Sequence, residues 1–250
     1  MRATTNAALG AVGLATVLII WELAAHTEKL AKLSIPPPSQ IPVAFWSELN
    51  NGYWYKMMFA SFSHYSIGLV VGSVLGVIIG ILVALSPRVE AFQAWIARIL
   101  RPIPPLAWIP FAIVWFGVSE TAAAFIISIG IFWINYFAAL SSVKCVDKDL
   151  IEVATAFGHR SHWARLRKVI LPAASPGILN GLRTGLGQGW MTVIAAELFG
   201  IQGIGQRMIE ASGMLNMDVV ILYMLTIGAL YGLTDFIFVR LQNRLLAWQK

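Results

Sequence analysis

Long apolar runs constrain this chain more than any other feature of its sequence. Six such runs can be traced, centred on residues 8–26, 58–85, 103–118, 121–143, 174–198 and 217–240. A helix crosses the hydrocarbon core of a bilayer, about 30 Å thick, with about 20 residues. Only 12% of the residues are charged, compared with about 25% in soluble domains. The sequence therefore predicts an all-α integral membrane protein, with about six transmembrane helices forming a single domain over residues 1–250.

The distribution of basic residues predicts how these helices are oriented. With six crossings, both termini lie on one side of the membrane, together with the loops after the second and fourth runs. That side holds fourteen of the 18 lysines and arginines. Because basic residues accumulate on the cytoplasmic side, we expect both termini in the cytoplasm, a cytoplasmic loop at about 144–172 and an external loop at about 27–57.

The spacing of glycines and prolines in two of the apolar runs also predicts how these segments pack. Gly68, Gly72, Gly76 and Gly80 recur at every fourth residue, which places them on one helix face where another backbone can approach closely. The third run contains four prolines between positions 102 and 110, which remove hydrogen-bond donors and disfavour helix in the preceding residue. We expect a broken segment there, buried in the bundle near a path, because irregular backbone at membrane depth needs protein or water around it.

The cytoplasmic loop is expected to contain two short helices. Asp149 and Ser161 are the expected N-caps, and Gly158 is the expected end of the first helix. One face of the first helix carries four apolar residues, Leu150, Ile151, Ala154 and Phe157. A loop that only sets topology needs no apolar stripe, so this helix is interpreted as a surface for the groove of a partner protein.

The first cytoplasmic helix carries a resemblance to a known family. Glu152, Ala154, Gly158 and the pair Leu171-Pro172 resemble the EAA motif in permease subunits of bacterial ATP-binding cassette (ABC) importers. Val153 stands where the family usually has alanine. The pair Leu171-Pro172 also lies one residue further from Gly158 than in the usual pattern, and we expect the extra residue in the turn from His159 to His162.

Further segments are similar to a narrower group within that family. The stretches Arg101–Gly117 and Leu171–Gly200, followed by Gly-Ile-Gly at 203–205, are similar to permeases of the nitrate, taurine and alkanesulfonate group. The pair Pro104-Pro105, followed by Trp115-Phe116-Gly117, is more similar to the taurine and sulfonate branch. A small organic or inorganic anion is therefore the implied substrate, with a taurine-like or alkanesulfonate-like molecule favoured and nitrate, bicarbonate or an aromatic acid as alternatives.

The resemblance implies a type I ABC importer permease-like bundle that works within an assembly. Two copies of the chain would form the pore, two ABC ATPase subunits would bind from the cytoplasm, and a periplasmic or lipid-anchored binding protein would deliver substrate. ATP and Mg²⁺ would be bound by the ATPase and no cofactor or metal by this non-catalytic chain, whose sequence contains no GxxxxGK[ST] phosphate loop. The residues implied in coupling to the ATPase are Asp149, Glu152, Val153, Ala154, Phe157, Gly158, His159, Leu171 and Pro172.

The fourth and fifth runs contain the candidates for the translocation path. Ionisable and polar groups at membrane depth tend to face the protein interior and mark routes. Five residues are predicted to line the path or its gate, with Glu197 as the candidate for the outer gate: Trp133, Asn135, Trp190, Thr192 and Glu197. Asp235 in the last run is expected to pair with a neighbour such as Arg240 instead.

Two other classes of membrane protein remain as competing readings. A secondary transporter driven by protons or sodium would be expected to show an inverted repeat and intramembrane acidic relays, and neither is visible. A membrane enzyme would need paired carboxylates, a metal cluster or a nucleophile with a base, and the sequence indicates none. Nucleic acid is not an expected partner, because no basic face with interleaved aromatic residues occurs outside the cytoplasmic loop, whereas membrane lipid is.

Overall fold

The computed structural model describes residues 2–27, 35–158 and 161–249 of the chain. These residues form helices joined by turns, with no strand among them, which confirms the all-α prediction. The helices are α1 (Arg2–Ala25), α2 (Ile41–Asn50), α3 (Tyr53–Ala84), α4 (Pro87–Leu100), α5 (Ile109–Phe116), α6 (Glu120–Lys144), α7 (Lys148–Ala156), α8 (His162–Arg165), α9 (Leu171–Glu197), α10 (Ile204–Gly213) and α11 (Met217–Leu245). Short 3-10 turns occur at Pro38–Gln40, Pro105–Trp108 and Ala247–Gln249, and a π turn at Leu166–Ile170.

The centre of the bundle is a close parallel pair, α3 and α6. Successive glycines of α3 meet successive turns of α6, in the order Gly68 on Ile127, Gly72 on Ser128, Gly76 on Phe132 and Gly80 on Tyr136. A Cβ atom on Gly72 would lie 2.6 Å from the carbonyl oxygen of Ser128, a distance that no side chain can tolerate. The predicted glycine face is therefore confirmed as a backbone-to-backbone packing surface.

Helices α9 and α11 complete the bundle with alternating directions. Gly181 of α9 packs on Ala138 and Gly189 packs on Ile131, so α9 runs antiparallel to α6. Helix α11 runs antiparallel to α9, because Asn180 bonds to Gln242 while Gly187, one turn after Arg183, packs on Tyr231. The C-terminal ends of α3, α6 and α11 and the start of α9 thus share one face of the bundle, which we call the basic face.

Asp235 has a different partner from the expected one. Its carboxylate accepts hydrogen bonds of 2.7 and 2.9 Å from Arg183 of α9, whereas Arg240 lies 4.3 Å from the ring of Phe236. The sequence-based pairing with Arg240 is wrong because the antiparallel packing of α9 on α11 brings a guanidinium from 52 residues away directly opposite the carboxylate.

The proline-rich segment returns the chain from the basic face to the opposite face. Since α3 and α6 are parallel, the residues between them must make this return. They do so with a break: the axis turns by 89° between Pro87–Leu100 and Pro105–Phe116, and Pro104 is extended. The expected break is confirmed, and α5 has only 8 residues, about 12 Å of helix. The expected burial of this segment in the bundle is wrong for the single chain, because Pro102, Pro104 and Leu106 are exposed.

Fewer than six helices meet a strict criterion for crossing a bilayer. Among the described residues, α3, α6 and α11 are long and apolar enough, and the bent pair around Pro104 would be a fourth, broken crossing. The apolar part of α1, Leu9–Ala25, is shorter. Helix α9 has 27 residues but is less apolar, since its glycines, Arg183 and Gln188 lower the mean hydropathy. The count of six remains a prediction.

Three apolar clusters lie within the described residues, and the smallest, at Val83, Ala97 and Tyr136, joins α3, α4 and α6. The largest core joins α3, α5, α6 and α9 through residues such as Tyr65, Ile131 and Trp190. The second core joins α2, α3, α10 and α11 at the face opposite the basic face, through residues such as Met57 and Tyr223. The region predicted as an external loop therefore contains α2 and the first turn of α3, while residues 28–34 lie outside the described part of the chain.

Candidate functional site

A capping aspartate determines where α7 begins, and a glycine determines where it ends. The carboxylate of Asp147 accepts a hydrogen bond of 3.0 Å from the backbone N–H of Asp149, so Asp147 is the N-cap. The prediction of Asp149 as the cap is wrong by two residues, since Asp149 already lies in the first helical turn, where an acidic group is also favourable. Gly158 follows the helix with a φ of 88°, a left-handed conformation that favours glycine.

An apolar face of α7 points away from the rest of the chain. Leu150, Val153 and Phe157 are 49%, 54% and 81% exposed, and these three residues fall on one side of the helix. Ala154 is instead buried against the protein. The predicted stripe of Leu150, Ile151, Ala154 and Phe157 is thus divided, because Ala154 belongs to the inner face and Val153 to the outer one.

The remaining residues of the predicted coupling motif surround α7. Glu152 is exposed and lines a cleft of about 440 Å³ together with Ile151, Thr155, Ala156 and Arg165. The hydroxyl of Ser161 accepts a hydrogen bond of 3.3 Å from the backbone N–H of Ala164, as expected for an N-cap.

The second cytoplasmic helix leads directly into α9. Leu171 and Pro172 form the first turn of α9, directly after the π turn. His159 lies outside the described residues. A π turn holds one more residue than an α turn, so Leu166–Ile170 is a second place for the extra residue that the sequence analysis assigned to the turn at 159–162.

Glu197 lies in a buried polar cluster at the end of α9. Its carboxylate accepts hydrogen bonds from the hydroxyl of Ser61 at 2.8 Å and from the backbone N–H of Gly205 at 2.9 Å. Nδ1 of His64 lies 2.9 Å from the other oxygen. The Ser61 hydroxyl also accepts from the backbone N–H of Ile204 at 2.8 Å. Glu197 therefore ties α9 to α3 and to the start of α10, where the positive end of the helix dipole favours an anion.

A second polar cluster was not predicted. Glu48 of α2 accepts hydrogen bonds from Arg207 of α10 at 2.6 and 3.1 Å and from the hydroxyl of Tyr223 of α11 at 2.8 Å. The bonds to Glu48 raise the pKa of the Arg207 guanidinium. No local pattern in the sequence indicates this cluster, because the partners are 159 and 175 residues apart.

Three of the predicted path residues lie in packed interior. Asn135 is fully buried and its amide donates to Ser73 at 2.9 Å. Trp190 stacks on Tyr65 at a centroid distance of 4.3 Å. Thr192 is buried and its hydroxyl donates to the carbonyl of Gln188 at 2.8 Å.

Trp133 is the predicted path residue that lines a cavity. This cavity, of about 340 Å³, also includes Arg101, Pro105, Gly130 and Gln188. None of the other four predicted residues lines it, and Glu197 lies at the far end of α9. The structure thus brings Trp133 together with Arg101 and Gln188, which the sequence analysis did not select.

Fold and site together define a class of protein. A multi-pass bundle with a parallel α3–α6 pair, and an exposed helix carrying the EAA-like residues between α6 and α9, fits the membrane-embedded subunit of an ABC transporter. The chain belongs to the family described as binding-protein-dependent transport system inner membrane component, which matches residues 72–248. It is therefore a multi-pass inner-membrane component of an ABC transporter.

Two curated relatives match nearly the whole chain. The taurine transport system permease protein TauC of Escherichia coli is 34% identical over 250 aligned residues, covering 94% of this chain and 87% of TauC. SsuC of Escherichia coli, whose name describes a permease for aliphatic sulfonates, is 34% identical over 233 residues, covering 93% of this chain and 88% of SsuC. The relatives are permeases, which are not catalytic themselves.

A solved structure shares the fold. The inward-facing MetNI methionine ABC transporter contains a chain that superposes with a TM-score of 0.66 at 20% identity, covering 76% of this chain and 96% of that one. At this identity the likeness concerns the fold alone, and it confirms the expected ABC importer permease bundle.

Proposed function

We propose that two copies of this chain form the path of an ATP-driven importer for a small anion. The observation that carries the proposal is the apolar face of α7, which stays exposed on a helix with the EAA-like residues. Exposed apolar residues grouped on a short helix outside the membrane are typical of a surface that docks into a partner. The occupant we propose is the ATPase subunit, which binds ATP and Mg²⁺.

Docking of α7 has a direct route to the membrane helices. Only five residues separate the end of α7 at Ala156 from the start of α8 at His162, and α8 leads through the π turn into α9. Helix α9 in turn packs along α6 and is bonded to α11 through Arg183 and Asp235. We propose that closure of the ATPase pair moves α7 and that α9 carries this movement across the bundle. Coupling of this kind is reciprocal, so a docked, loaded binding protein would favour the closed ATPase pair.

The proposed importer also has a defined orientation in the membrane, a path through the bundle and a substrate. The basic face lies in the cytoplasm with both termini, in accord with the positive-inside bias. Trp133 lines the path, the buried residues Asn135, Trp190 and Thr192 support its wall from within the bundle, and Glu197 secures its outer end. The names of TauC and SsuC support a sulfonate such as taurine as the substrate, delivered by an extracytoplasmic binding protein.

Co-purification with the ATPase subunit tests the docking surface. Phe157→Ser should reduce the ATPase retained by the tagged chain at least tenfold, since it removes the most exposed apolar side chain of α7. Phe92→Ser is the matched control, because Phe92 is 79% exposed on α4 and belongs to no proposed docking face. Equal retention by both variants would contradict the assignment of α7.

Gly158 provides a second test of the same helix. Gly158→Val should reduce ATPase retention because a β-branched residue is strained at a φ of 88°. Gly158→Asn is the control, since asparagine tolerates the left-handed region better. Nothing lies within 4 Å of a Cβ atom at this position, so both substitutions should insert into the membrane normally.

Transport in proteoliposomes distinguishes the importer from the competing classes. The complex with ATPase and binding protein should take up taurine only when ATP is present on the side of the membrane that carries the ATPase. Uptake that persists without ATP and collapses with the proton gradient would identify a secondary carrier instead. Competition by nitrate, bicarbonate or an aromatic acid at equal concentration ranks the alternative substrates.

A further inference from the structure

A cavity at membrane depth has a lining that combines one cation with apolar surfaces. It has a volume of about 340 Å³ and lies between the break after α4, the middle of α6 and the middle of α9. Its principal lining residues are Arg101, Pro105, Gly130, Trp133, Phe137 and Gln188. The volume lies at the lower end of the range for small-molecule sites, about 300–1,000 Å³.

The cavity lies beside the middle of α6, a helix long and apolar enough to cross a bilayer. Gly130 lies ten residues after Glu120 and 14 residues before Lys144, which is about 15 Å and 21 Å along the helix axis. Arg101 is exposed in the single chain and stacks on Phe137, seven residues and about 10 Å along the helix axis before Lys144. Its guanidinium can therefore meet an anion that enters the cavity from the basic face.

Within the described part of the chain, Arg101 has no acidic partner. Its guanidinium lies 4.3 Å from the ring centroid of Phe137, and no carboxylate of the described residues lies within 4.0 Å. Glu90, which lines a second, adjoining cavity together with Arg101, pairs with Lys144 at 2.7 Å. No acidic residue lines the cavity itself, so its field favours an anion.

Arg101 and Phe137 also separate this cavity from a second one. The second cavity, of about 510 Å³, is lined by Glu90, Arg98, Arg101, Phe137 and Leu140 among others. Leu140 lies closer than Gly130 to the end of α6 on the basic face. The stacked pair of Arg101 and Phe137 thus stands between a cavity at mid-depth and one that lies nearer the basic face.

We propose that Arg101 and Gln188 bind the anionic group of a small sulfonate or carboxylate in the mid-depth cavity. The guanidinium offers paired donors that match such a group, and Trp133 contacts the short aliphatic part. The Gln188 amide nitrogen, which lies 3.4 Å from the Thr192 hydroxyl, has a second N–H to donate. The further claim that the bound anion is the transported substrate rests on the proposed function.

Charged thiol reagents test the site without requiring transport. In a Cys145→Ser background, which removes the chain's single cysteine, Ile134→Cys places a thiol in the cavity lining. The anionic reagent methanethiosulfonate ethylsulfonate should modify it about tenfold faster than the cationic ethyltrimethylammonium analogue, relative to their reaction with a free thiol, as expected for a difference of ~1.4 kcal/mol. Arg101→Gln should abolish this preference, and Arg101→Lys should retain part of it.

Two controls assign the preference to the cavity and to a soluble anion. Arg88→Gln should leave the preference unchanged, because Arg88 is exposed at the start of α4 and lines neither cavity. The labelling is carried out in vesicles of phosphatidylcholine alone and with added phosphatidylglycerol. Loss of the preference when anionic lipid is added would identify a headgroup site and overturn the proposal, as would equal labelling by both reagents.

Taurine uptake by the reconstituted complex separates this inference from the proposed function. Arg101→Gln should lower ATP-dependent taurine uptake at least tenfold while the chain still retains the ATPase subunit. Unchanged uptake in this variant would overturn the anion site but leave the importer intact. Failure of the unmodified chain to retain any ATPase would contradict the proposed function, whereas the labelling result would still decide whether the cavity selects anions.

Discussion

His64 Nδ1 of α3 lies 2.9 Å from Glu197 Oε1 of α9, with both side chains at most 1% exposed. The same carboxylate accepts from Ser61 and from the backbone of Gly205, so one acidic group joins three helices at the face opposite the basic face. A buried carboxylate is tolerated only when hydrogen bonds satisfy it. The cluster therefore needs the first residues of α10, Ile204 and Gly205, to approach Glu197 closely.

The approach of α10 to α9 depends on the absence of a side chain at position 205. A Cβ atom on Gly205 would lie 2.6 Å from the carbonyl oxygen of Ile194 and 2.8 Å from Cβ of Glu197. Gly205→Ala should lower the free energy of unfolding by about 1–3 kcal/mol through overpacking. Gly213→Ala on the same helix has no atom within 4 Å of its Cβ and should be neutral or stabilising. Unfolding in mixed micelles of increasing SDS fraction compares the two.

The parallel pair of α3 and α6 also requires glycine where the two backbones meet. Gly76→Ala would place a Cβ atom 2.7 Å from the carbonyl oxygen of Phe132, which must force the two backbones apart. We expect a loss of about 1–3 kcal/mol in the free energy of unfolding, measured in the same micelles. Gly228→Ala on α11 is the control, since nothing lies within 4 Å. Equal stability of the two variants would mean that the pair is looser than the contacts indicate.

Sequence reasoning succeeded where the rule was local to one helix. The four-residue spacing of glycines from Gly68 to Gly80 predicts a packing face without knowledge of the partner helix, and the helix end at Gly158 follows from one residue's freedom at positive φ. The break at 102–110 is equally local, because each proline acts on its own turn. These features could be predicted because no distant residue decides them.

Features that depend on distant partners could not be predicted. Glu48 meets Arg207 and Tyr223 only after α2, α10 and α11 have packed. The cavity at Arg101 requires the break after α4 to lie beside Gln188 of α9. Even the N-cap of α7 was misplaced, because Asp147 and Asp149 are both good caps and only the observed backbone distinguishes them. Sequence therefore indicates the elements and the family better than the site.

The cluster around Glu48 should contribute strongly to stability. Glu48→Ala leaves Arg207 without its 2.6 Å partner and Tyr223 without an acceptor. Removing one member of a buried ion pair typically costs about 3–5 kcal/mol, and we expect a value near the lower end because Arg207 keeps some contact with solvent. Glu210→Ala removes the other, more exposed partner of Arg207 at 3.5 Å and should cost less than ~1 kcal/mol. Unfolding in SDS mixed micelles measures both.

The ion pair of Arg183 and Asp235 should stabilise the packing of α9 on α11, because its two hydrogen bonds join these helices. Asp235→Asn should lower the free energy of unfolding, since it leaves the Arg183 guanidinium without its bidentate partner. In the double variant Arg183→Gln/Asp235→Asn the unpaired charge is gone, so at least half of this loss should be recovered.

Arg240→Gln is the control for removing a cation from the same helix, because Arg240 lies over the ring of Phe236 and pairs with no acid of the described residues. Additive losses in the double-mutant cycle would show that the two side chains do not stabilise each other, and α9 and α11 would then be joined by packing alone.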